Sequence, residues 1–196
     1  MGEPHQDDLI TKAQDGGPEA AGKLYEQHQR SIFRYLYYRI GDQQVAEDLT
    51  GDVFLKMVQA LPGFRGNIFA FRGWLFQIAR NLSIDHLRRI LAHPHVNIQE
   101  NLVCSDEPTE LTAERSLNAD TLRRAIAHLN DEQKDVIILR FIEGMSLAET
   151  ARTLHKSEDA VKGLQRRALQ ILRDQLLKQE HEYEPGRNPT TLSAPN

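Results

Sequence analysis

Apolar side chains recur every three or four residues over the first half of the chain, which is the spacing of one buried helical face. Three such stripes follow one another: Phe33, Leu36, Tyr37 and Ile40, then Val45, Leu49, Val53, Met57 and Leu61, then Leu75, Ile78 and Leu82. Gly41 and Pro62-Gly63 separate the stripes and are typical helix breakers. We therefore predict three helices, the last over about residues 71–91, with a loop at 63–70 before it.

The second half has the same helical pattern after an interruption. His93-Pro94-His95 breaks the third stripe and the chain then stays polar and acidic, so residues 92–117 are predicted to be an acidic, flexible linker. Helical spacing resumes at Leu122. The apolar run 136–142 is predicted to be a buried helix, because no second strand candidate exists to pair with it. The tail 181–196 contains three prolines and is predicted to be disordered.

These elements predict an all-α fold of two small helical domains, residues 1–91 and 118–180, joined by the linker. Fully extended, the linker would reach about 65–80 Å at ~3.3 Å per residue. One turn of DNA is ~34 Å long, so the two domains could occupy DNA sites more than one turn apart.

Composition narrows the class of protein. With 40% hydrophobic and 27% charged residues among 196, the chain is typical of soluble globular proteins. No apolar stretch approaches the ~18 residues of a membrane span, and the N-terminal segment lacks the pattern of a secretory signal. The single cysteine, Cys104, cannot form an internal disulfide. We expect a cytoplasmic protein with no membrane span.

The net charge of −4 hides an uneven distribution. Residues 30–96 carry nine basic and five acidic side chains, and residues 121–180 carry eleven and nine. Between them, residues 97–120 carry one basic and six acidic side chains. Two basic blocks separated by an acidic one indicate two modules that face anions, although ordinary solvated faces would give a similar count.

A helix-turn-helix is predicted near the C-terminus. Ser146 and Glu149 have the spacing of a capping box, and Ser157 is a second N-cap after a short turn. His155 stands at a turn position where φ is often positive, and histidine tolerates that conformation. The second helix presents Lys162, Gln165, Arg166 and Arg167. Such side chains read base edges or hold phosphates in DNA-binding proteins of this kind, whereas the alternative is a plain helical hairpin with a basic solvated face.

Two patterns in the first half suggest binding. Glu47, Asp48 and Asp52 share an exposed helical face without any histidine, which favours either ordinary surface acid or docking onto a basic partner over acid–base catalysis. Aromatic, basic and amide side chains then alternate through Phe64, Arg65, Asn67, Phe69, Phe71, Arg72 and Trp74. This mixture suits single-stranded nucleic acid, with core packing as the alternative for Phe71 and Trp74. A polar, mostly basic stripe follows at Arg80, Asn81, Asp85, Arg88 and Arg89, where Asp85 and Arg89 could form a simple i, i+4 pair.

Together these stretches resemble bacterial sigma factors. Residues 46–56 (AEDLTGDVFLK) resemble the polymerase-binding region 2.2, and residues 71–81 (FRGWLFQIARN) with 85–89 (DHLRR) resemble regions 2.3 and 2.4. Residues 129–146 resemble region 4.1, and the helix-turn-helix resembles region 4.2. The linker has no room for region 3, and we expect no extended N-terminal region. This combination is similar to the extracytoplasmic-function (group 4) subfamily.

The resemblance implies a protein that binds core RNA polymerase and directs it to promoters. It implies docking on the β′ clamp helices through Glu47, Asp48, Asp52 and Phe54. It implies that the loop around Asn67 captures a flipped base of the −10 element. The residues implied in recognition of this element are Phe64, Arg65, Asn67, Phe69, Arg80, Asn81, Arg88 and Arg89. It implies recognition of the −35 element through Ser157, Lys162, Gln165, Arg166 and Arg167. It also implies that region 4 binds the β flap of the polymerase. It further implies control by an anti-sigma factor, and no cofactor, metal or enzymatic activity.

The sequence departs from the family at two positions, and the tail after Lys178 is not explained by the family core. Gly51 stands where the family often has glutamine, which lowers helix propensity by roughly 1 kcal/mol. Gly163-Leu164-Gln165 stands where many relatives have Ser-Arg-Leu, so no −35 sequence can be carried over.

Two alternatives belong to other classes. A stand-alone helix-turn-helix regulator would explain the second half but not the acidic face or the aromatic loop, and it would bind duplex DNA without polymerase. A helical metal-dependent enzyme would need a site such as His93, His95 and Cys104, which lie in the predicted linker without fixed geometry.

Overall fold

The computed structural model describes residues 4–92 and 110–182, with side chains described for residues 7–92 and 119–177. All regular secondary structure in these ranges is helical, which confirms the predicted all-α class. The N-terminal half contains α1 (Pro4–Gln14), α2 (Pro18–Ile40), α3 (Gln43–Ala60), a 3₁₀ turn (Leu61–Gly63) and α4 (Ile68–Ala92). The C-terminal half contains α5 (Glu110–Ala127), α6 (Asp131–Ile137), a π-helical turn (Ile138–Ile142), α7 (Leu147–Thr153) and α8 (Glu158–Glu182).

Short-range hydrogen bonds set the helix boundaries. α2 ends at Gly41, whose φ of 87° is in the left-handed region that glycine adopts without strain. Asp42 then begins α3 by accepting a hydrogen bond from the Val45 amide at 2.9 Å. Asn130 and Gln133 form a capping box at the start of α6.

The helices of the N-terminal half pack around one aromatic and aliphatic core. Its largest fully buried side chains include Tyr35, Leu36, Met57, Phe71 and Phe76. The inward positions predicted from the second and third stripes are mostly buried, whereas in the first stripe Leu36 is buried and the other three are half-buried. The core alternative holds for Phe71, which is 0% exposed.

Helix α1 was not predicted from the sequence. Its mixed, polar composition has no clear apolar stripe, yet Ile10 and Ala13 are 3% and 8% exposed and belong to the core of the N-terminal half. The helix also makes polar contacts with the turn and loop between α3 and α4.

The C-terminal half has two smaller clusters of its own. One joins α5, α6 and α8 through residues such as Ile126, Leu129 and Leu172. The other holds the helix-turn-helix together through Val136, Ala151, Val161 and Leu164. The run 136–142 is helical, as predicted, and Val136, Ile137, Ile138 and Leu139 are buried.

The two halves are packed against each other. Ile138, Leu139 and Met145 of the C-terminal half belong to the same buried cluster as the core of the N-terminal half. The sequence predicted two helical domains joined by a linker, and in the structure buried side chains of both domains share this cluster. Apolar periodicity identifies which residues are buried but not which helix covers them, so this packing was not visible in the sequence.

The structure also alters the predicted boundaries. Residues 110–117, assigned to the linker, are helical in α5, and residues 181–182, assigned to the tail, belong to α8. The acidic composition behind the linker prediction is compatible with a helix, since glutamate, alanine and leucine are good helix formers. The remaining linker residues 93–109, with His93, His95 and Cys104, and the tail residues 183–196 lie outside the described residues.

None of the described helices is long and apolar enough to cross a membrane. Within the described side chains, no group of three or more histidine, cysteine, aspartate or glutamate residues is arranged to hold a metal ion.

Candidate nucleic-acid and polymerase-binding surfaces

The supporting helix of the helix-turn-helix begins with a reciprocal capping box. The Ser146 hydroxyl accepts from the Glu149 amide at 3.2 Å, and the Glu149 carboxylate accepts from the Ser146 amide at 2.7 Å. The side-chain hydrogen bond with Ser146, and then the backbone bond, lower the pKa of Glu149. The carboxylate therefore stays charged at the end of α7 where the helix dipole favours negative charge.

The turn between α7 and α8 has the predicted geometry. His155 has a φ of 52°, in the left-handed region. The Ser157 hydroxyl then accepts from the Ala160 amide at 3.2 Å and caps α8. Ser157 is thus a structural cap, and α8 leaves the turn as a continuous helix to Glu182.

One face of α8 is exposed and rich in cations. Lys162, Arg166 and Arg167 are exposed, while Val161 and Leu164 on the opposite face are buried. Gln165 is half-buried and accepts a hydrogen bond from Arg140 Nε at 3.3 Å. Three of the five predicted −35 residues therefore present their charge to solvent, and the other two make contacts within the protein.

The loop before α4 separates the predicted −10 residues into two groups. Arg65, Asn67 and Phe69 are exposed, Phe69 by 51%. Phe64 differs from the prediction, because it is 9% exposed and packs against Trp74 with ring centroids 5.0 Å apart. The mixture of aromatic and polar residues could not distinguish a stacking ring from a core ring.

Asn67 has two roles available to it. Its Oδ1 accepts from the Ala70 amide at 3.0 Å and so caps α4. Asn67 itself is exposed. The cap therefore fixes the orientation of its side-chain NH₂ group, which is free to donate a hydrogen bond to a base.

The polar stripe along α4 is exposed except at one position. Asn81, Arg88 and Arg89 face solvent. Asp85 lies 3.9 Å from Arg88, while Arg89 donates to the Asp85 carbonyl oxygen, so the predicted i, i+4 charge pair is replaced by an i, i+3 pair. Arg80 is 30% exposed, and its Nε donates to Asp135 of α6 at 2.7 Å.

The acidic face of α3 is exposed at Glu47, Asp48 and Asp52. Phe54 differs from the prediction, because it is 6% exposed and its ring lies edge-on to Tyr25 at 4.8 Å. Leu55 and Val58 on the same helix are 59% and 52% exposed, and neither was predicted as a binding residue from the sequence. Their sequence signal was that they lie off the inward stripe of α3, and an exposed apolar patch with a polar rim is typical of a protein-binding surface.

Buried ion pairs join the two halves, and they were not predicted from the sequence. Asp135, 1% exposed in its side chain, accepts from Tyr35 at 2.7 Å and pairs with both Arg39 and Arg80. Burial first, and the charge of Asp135 second, raise the pKa of Tyr35 well above its usual range, so its hydroxyl remains a donor. The sequence signal was that Asp135 stands directly before the apolar run 136–142. A carboxylate that is buried together with such a run needs partners.

A second carboxylate makes the same kind of contact nearby. Arg34 Nε lies 2.7 Å from Oε1 of Glu143, whose side chain is 0% exposed. Arg72 donates to the backbone oxygen of Glu143. The hydrogen bond to Glu143 is the main reason that the pKa of Arg34 is raised.

Comparisons with known proteins place these surfaces in a family. The model of Sigma-70 region 2 matches residues 24–90, and the model of Sigma-70 region 4 matches residues 125–174. BldN of Streptomyces coelicolor, an ECF RNA polymerase sigma factor, is 38% identical over 168 residues, which are 84% of this chain and 63% of BldN. SigX of Bacillus subtilis, also an ECF RNA polymerase sigma factor, is 32% identical over 166 residues, which are 80% of this chain and 84% of SigX.

A solved structure has the same fold. CnrH, in complex with the cytosolic domain of CnrY, has a TM-score of 0.67 at 26% identity, and the match covers 89% of this chain and 98% of the CnrH chain. The helical fold with regions 2 and 4 thus defines a sigma-70-type transcription factor. The chain belongs to the ECF RNA polymerase sigma factors, as its resemblance to them predicted. It spans less than two thirds of BldN, at 63% of that protein's length.

Proposed function

We propose that the protein binds core RNA polymerase and directs it to promoters that have a −10 and a −35 element. The observation that supports this most strongly is the presence of two different nucleic-acid surfaces on one chain. α8 offers an exposed basic face behind a capped turn, and the loop before α4, together with the first turn of α4, offers an exposed ring with arginine and amide side chains. A duplex reader and a single-strand reader together fit promoter recognition and opening.

The roles of individual residues follow from exposure and chemistry. Lys162, Arg166 and Arg167 contact the −35 duplex, with arginine able to pair with guanine through two bonds. Phe69 provides the stacking surface for a base of the −10 strand, and Asn67 and Arg65 provide its donors. Asn81, Arg88 and Arg89 hold the duplex edge of that element, and Arg80 joins them when it leaves Asp135.

The polymerase contact is assigned to α3. Glu47, Asp48 and Asp52 supply charge, and the exposed Leu55 and Val58 supply apolar area beside it. Phe54 supports this surface from the core through its contact with Tyr25. We assign the β′ clamp helices to this surface and the β flap to the C-terminal half.

We further propose a protein regulator and a cytoplasmic location. CnrH, which has the same fold, was solved in complex with the cytosolic domain of a second protein, CnrY. An anti-sigma factor that covers the surfaces described above would act on this chain in the same compartment as the polymerase. The mechanism assigns binding roles to the residues of this chain and no catalytic step.

Run-off transcription tests the proposal. Genomic DNA fragments are transcribed by bacterial core polymerase with and without the protein. New start sites that share two upstream elements are expected when the protein is present. If no new start appears and the protein instead binds duplex DNA tightly without polymerase, a stand-alone helix-turn-helix regulator replaces the sigma factor as the function of this chain.

A further inference from the structure

α1 lies before the segment matched by the region 2 family model, which begins at residue 24, yet it contacts the loop that we assign to the −10 strand. Asp7 accepts from the Ile68 amide at 2.8 Å, and Ile68 is the first residue of α4. Gln14 donates through Nε2 to two carbonyl oxygens, of Leu61 at 3.1 Å and of Phe64 at 2.8 Å.

These bonds fix both ends of the loop. At the start of the loop, the Gln14 side-chain amide donates to two backbone carbonyls. At its end, the Asp7 carboxylate accepts from the Ile68 amide, which has no partner within α4. The exposed residues Arg65 and Asn67 lie between these two points. Since α1 is anchored through the buried Ile10 and Ala13, its polar contacts hold the loop to a rigid support.

We propose that Asp7 and Gln14 are positioning residues for capture of the −10 strand. This rests on the proposed function, because it assigns the loop that role. A loop that is held in one conformation binds a flipped base without the entropic cost of ordering first. The two side chains act through the loop backbone and do not themselves touch DNA.

Isosteric variants test this proposal. Open-complex formation is measured by permanganate reactivity of −10 thymines, with core polymerase at saturating protein. Asp7→Ala is expected to lower it about fivefold, the factor of one lost helix cap, while Asp7→Asn, which keeps an acceptor oxygen, restores it. Gln14→Met keeps length without donors and is expected to act like Asp7→Ala. Asp8→Ala is the matched control, since Asp8 pairs only with the exposed Lys12 in the described contacts.

The outcomes separate positioning from general support. Polymerase affinity should stay within the range of the Asp8→Ala control, and the melting temperature should fall only by the few degrees that one lost cap explains. If polymerase affinity falls in step with open-complex formation, or if Asp7→Asn is as weak as Asp7→Ala, the positioning role is overturned. If the unmodified protein opens no promoter, the proposed function itself fails.

Discussion

Arg80, on the helix whose exposed face we assign to promoter DNA, donates its Nε to Oδ2 of Asp135 at 2.7 Å. Burial lowers the pKa of Arg80, but the hydrogen bond and the charge of Asp135 outweigh burial and raise it. Asp135 in turn is surrounded by donors from Tyr35 and Arg39. One carboxylate therefore joins α2, α4 and α6.

Replacement of Asp135 by asparagine should destabilise the protein by about 3–5 kcal/mol. The shape of the side chain is kept, but Arg39, which is 0% exposed in its side chain, loses its buried counter-charge. Urea unfolding followed by circular dichroism measures the change. Asp131→Asn is the control, because Asp131 lies 3.8 Å from Arg39 and is 60% exposed. An equal loss in both variants would show that burial of the pair does not matter.

Phe64, in the loop before α4, and Phe69, in the first turn of α4, should respond in opposite ways. Phe64→Ala removes a ring that is 9% exposed and should cost about 3 kcal/mol of stability. Phe69→Ala removes a ring that is 51% exposed, so it should change stability by less than about 0.5 kcal/mol while it lowers open-complex formation. Thermal unfolding and permanganate footprinting of both variants check this. A strong stability loss at Phe69 would place its ring in the core instead.

Asp48→Ala should weaken binding to core polymerase and leave the fold intact, because Asp48 is exposed on the acidic face of α3. Fluorescence titration of labelled protein with core polymerase gives the affinity, and circular dichroism reports the fold. Asp15→Ala, which removes an exposed acid between α1 and α2, should bind normally. Unchanged affinity of the Asp48 variant would remove the docking assignment from this face.

Local features of this fold were predictable because local physics determines them. Ser146 and Ser157 were recognised as caps from spacing, and His155 has the positive φ that its turn position suggested. The inward stripe through Leu49, Val53 and Met57 follows helical periodicity and is buried.

The remaining features depend on partners far away in the sequence. Tyr35 and Asp135 are 100 residues apart, and Asp7 and Ile68 are 61 apart. Neither pair has a local pattern. The sequence therefore could not reveal the buried contacts of Asp135 between the halves or the support of the −10 loop by α1. Phe64 lies in the loop and Phe69 in the first turn of α4, and tertiary packing decides that the first ring is buried and the second exposed.

His28 should make stability depend on pH. Burial, and secondarily the charge of Arg72, lower the pKa of His28 to about 4 from 6.5. Below pH 6.5 the unfolded chain takes up a proton that the folded protein excludes until about pH 4, so stability is lost as the pH falls through this window. The loss attributable to His28 is on the order of 2–3 kcal/mol.

The His28→Gln variant tests this dependence, since glutamine does not titrate. Urea unfolding at several pH values between 7 and 4 should give a flatter profile for the variant than for the unmodified protein. His128→Gln is the matched control because His128 is exposed, and its profile should follow the unmodified protein. Parallel profiles for all three proteins would contradict burial of a neutral His28.

Arg166 and Lys162 should differ in what they contribute to promoter binding. Both are exposed on α8, but the Lys162 ammonium already lies 3.1 Å from Asp159, and lysine binds phosphate as a point charge, whereas the planar fork of arginine matches a base edge. Arg166→Ala should cost about 1–3 kcal/mol on the preferred −35 sequence and relax specificity at one position. Lys162→Ala should weaken all sequences alike and reduce the salt dependence. Binding of polymerase complexes to a set of −35 variants at several salt concentrations distinguishes the two. If Arg166→Ala weakens every sequence equally, its guanidinium contacts a phosphate, and the base that α8 reads must be recognised by another residue of that face.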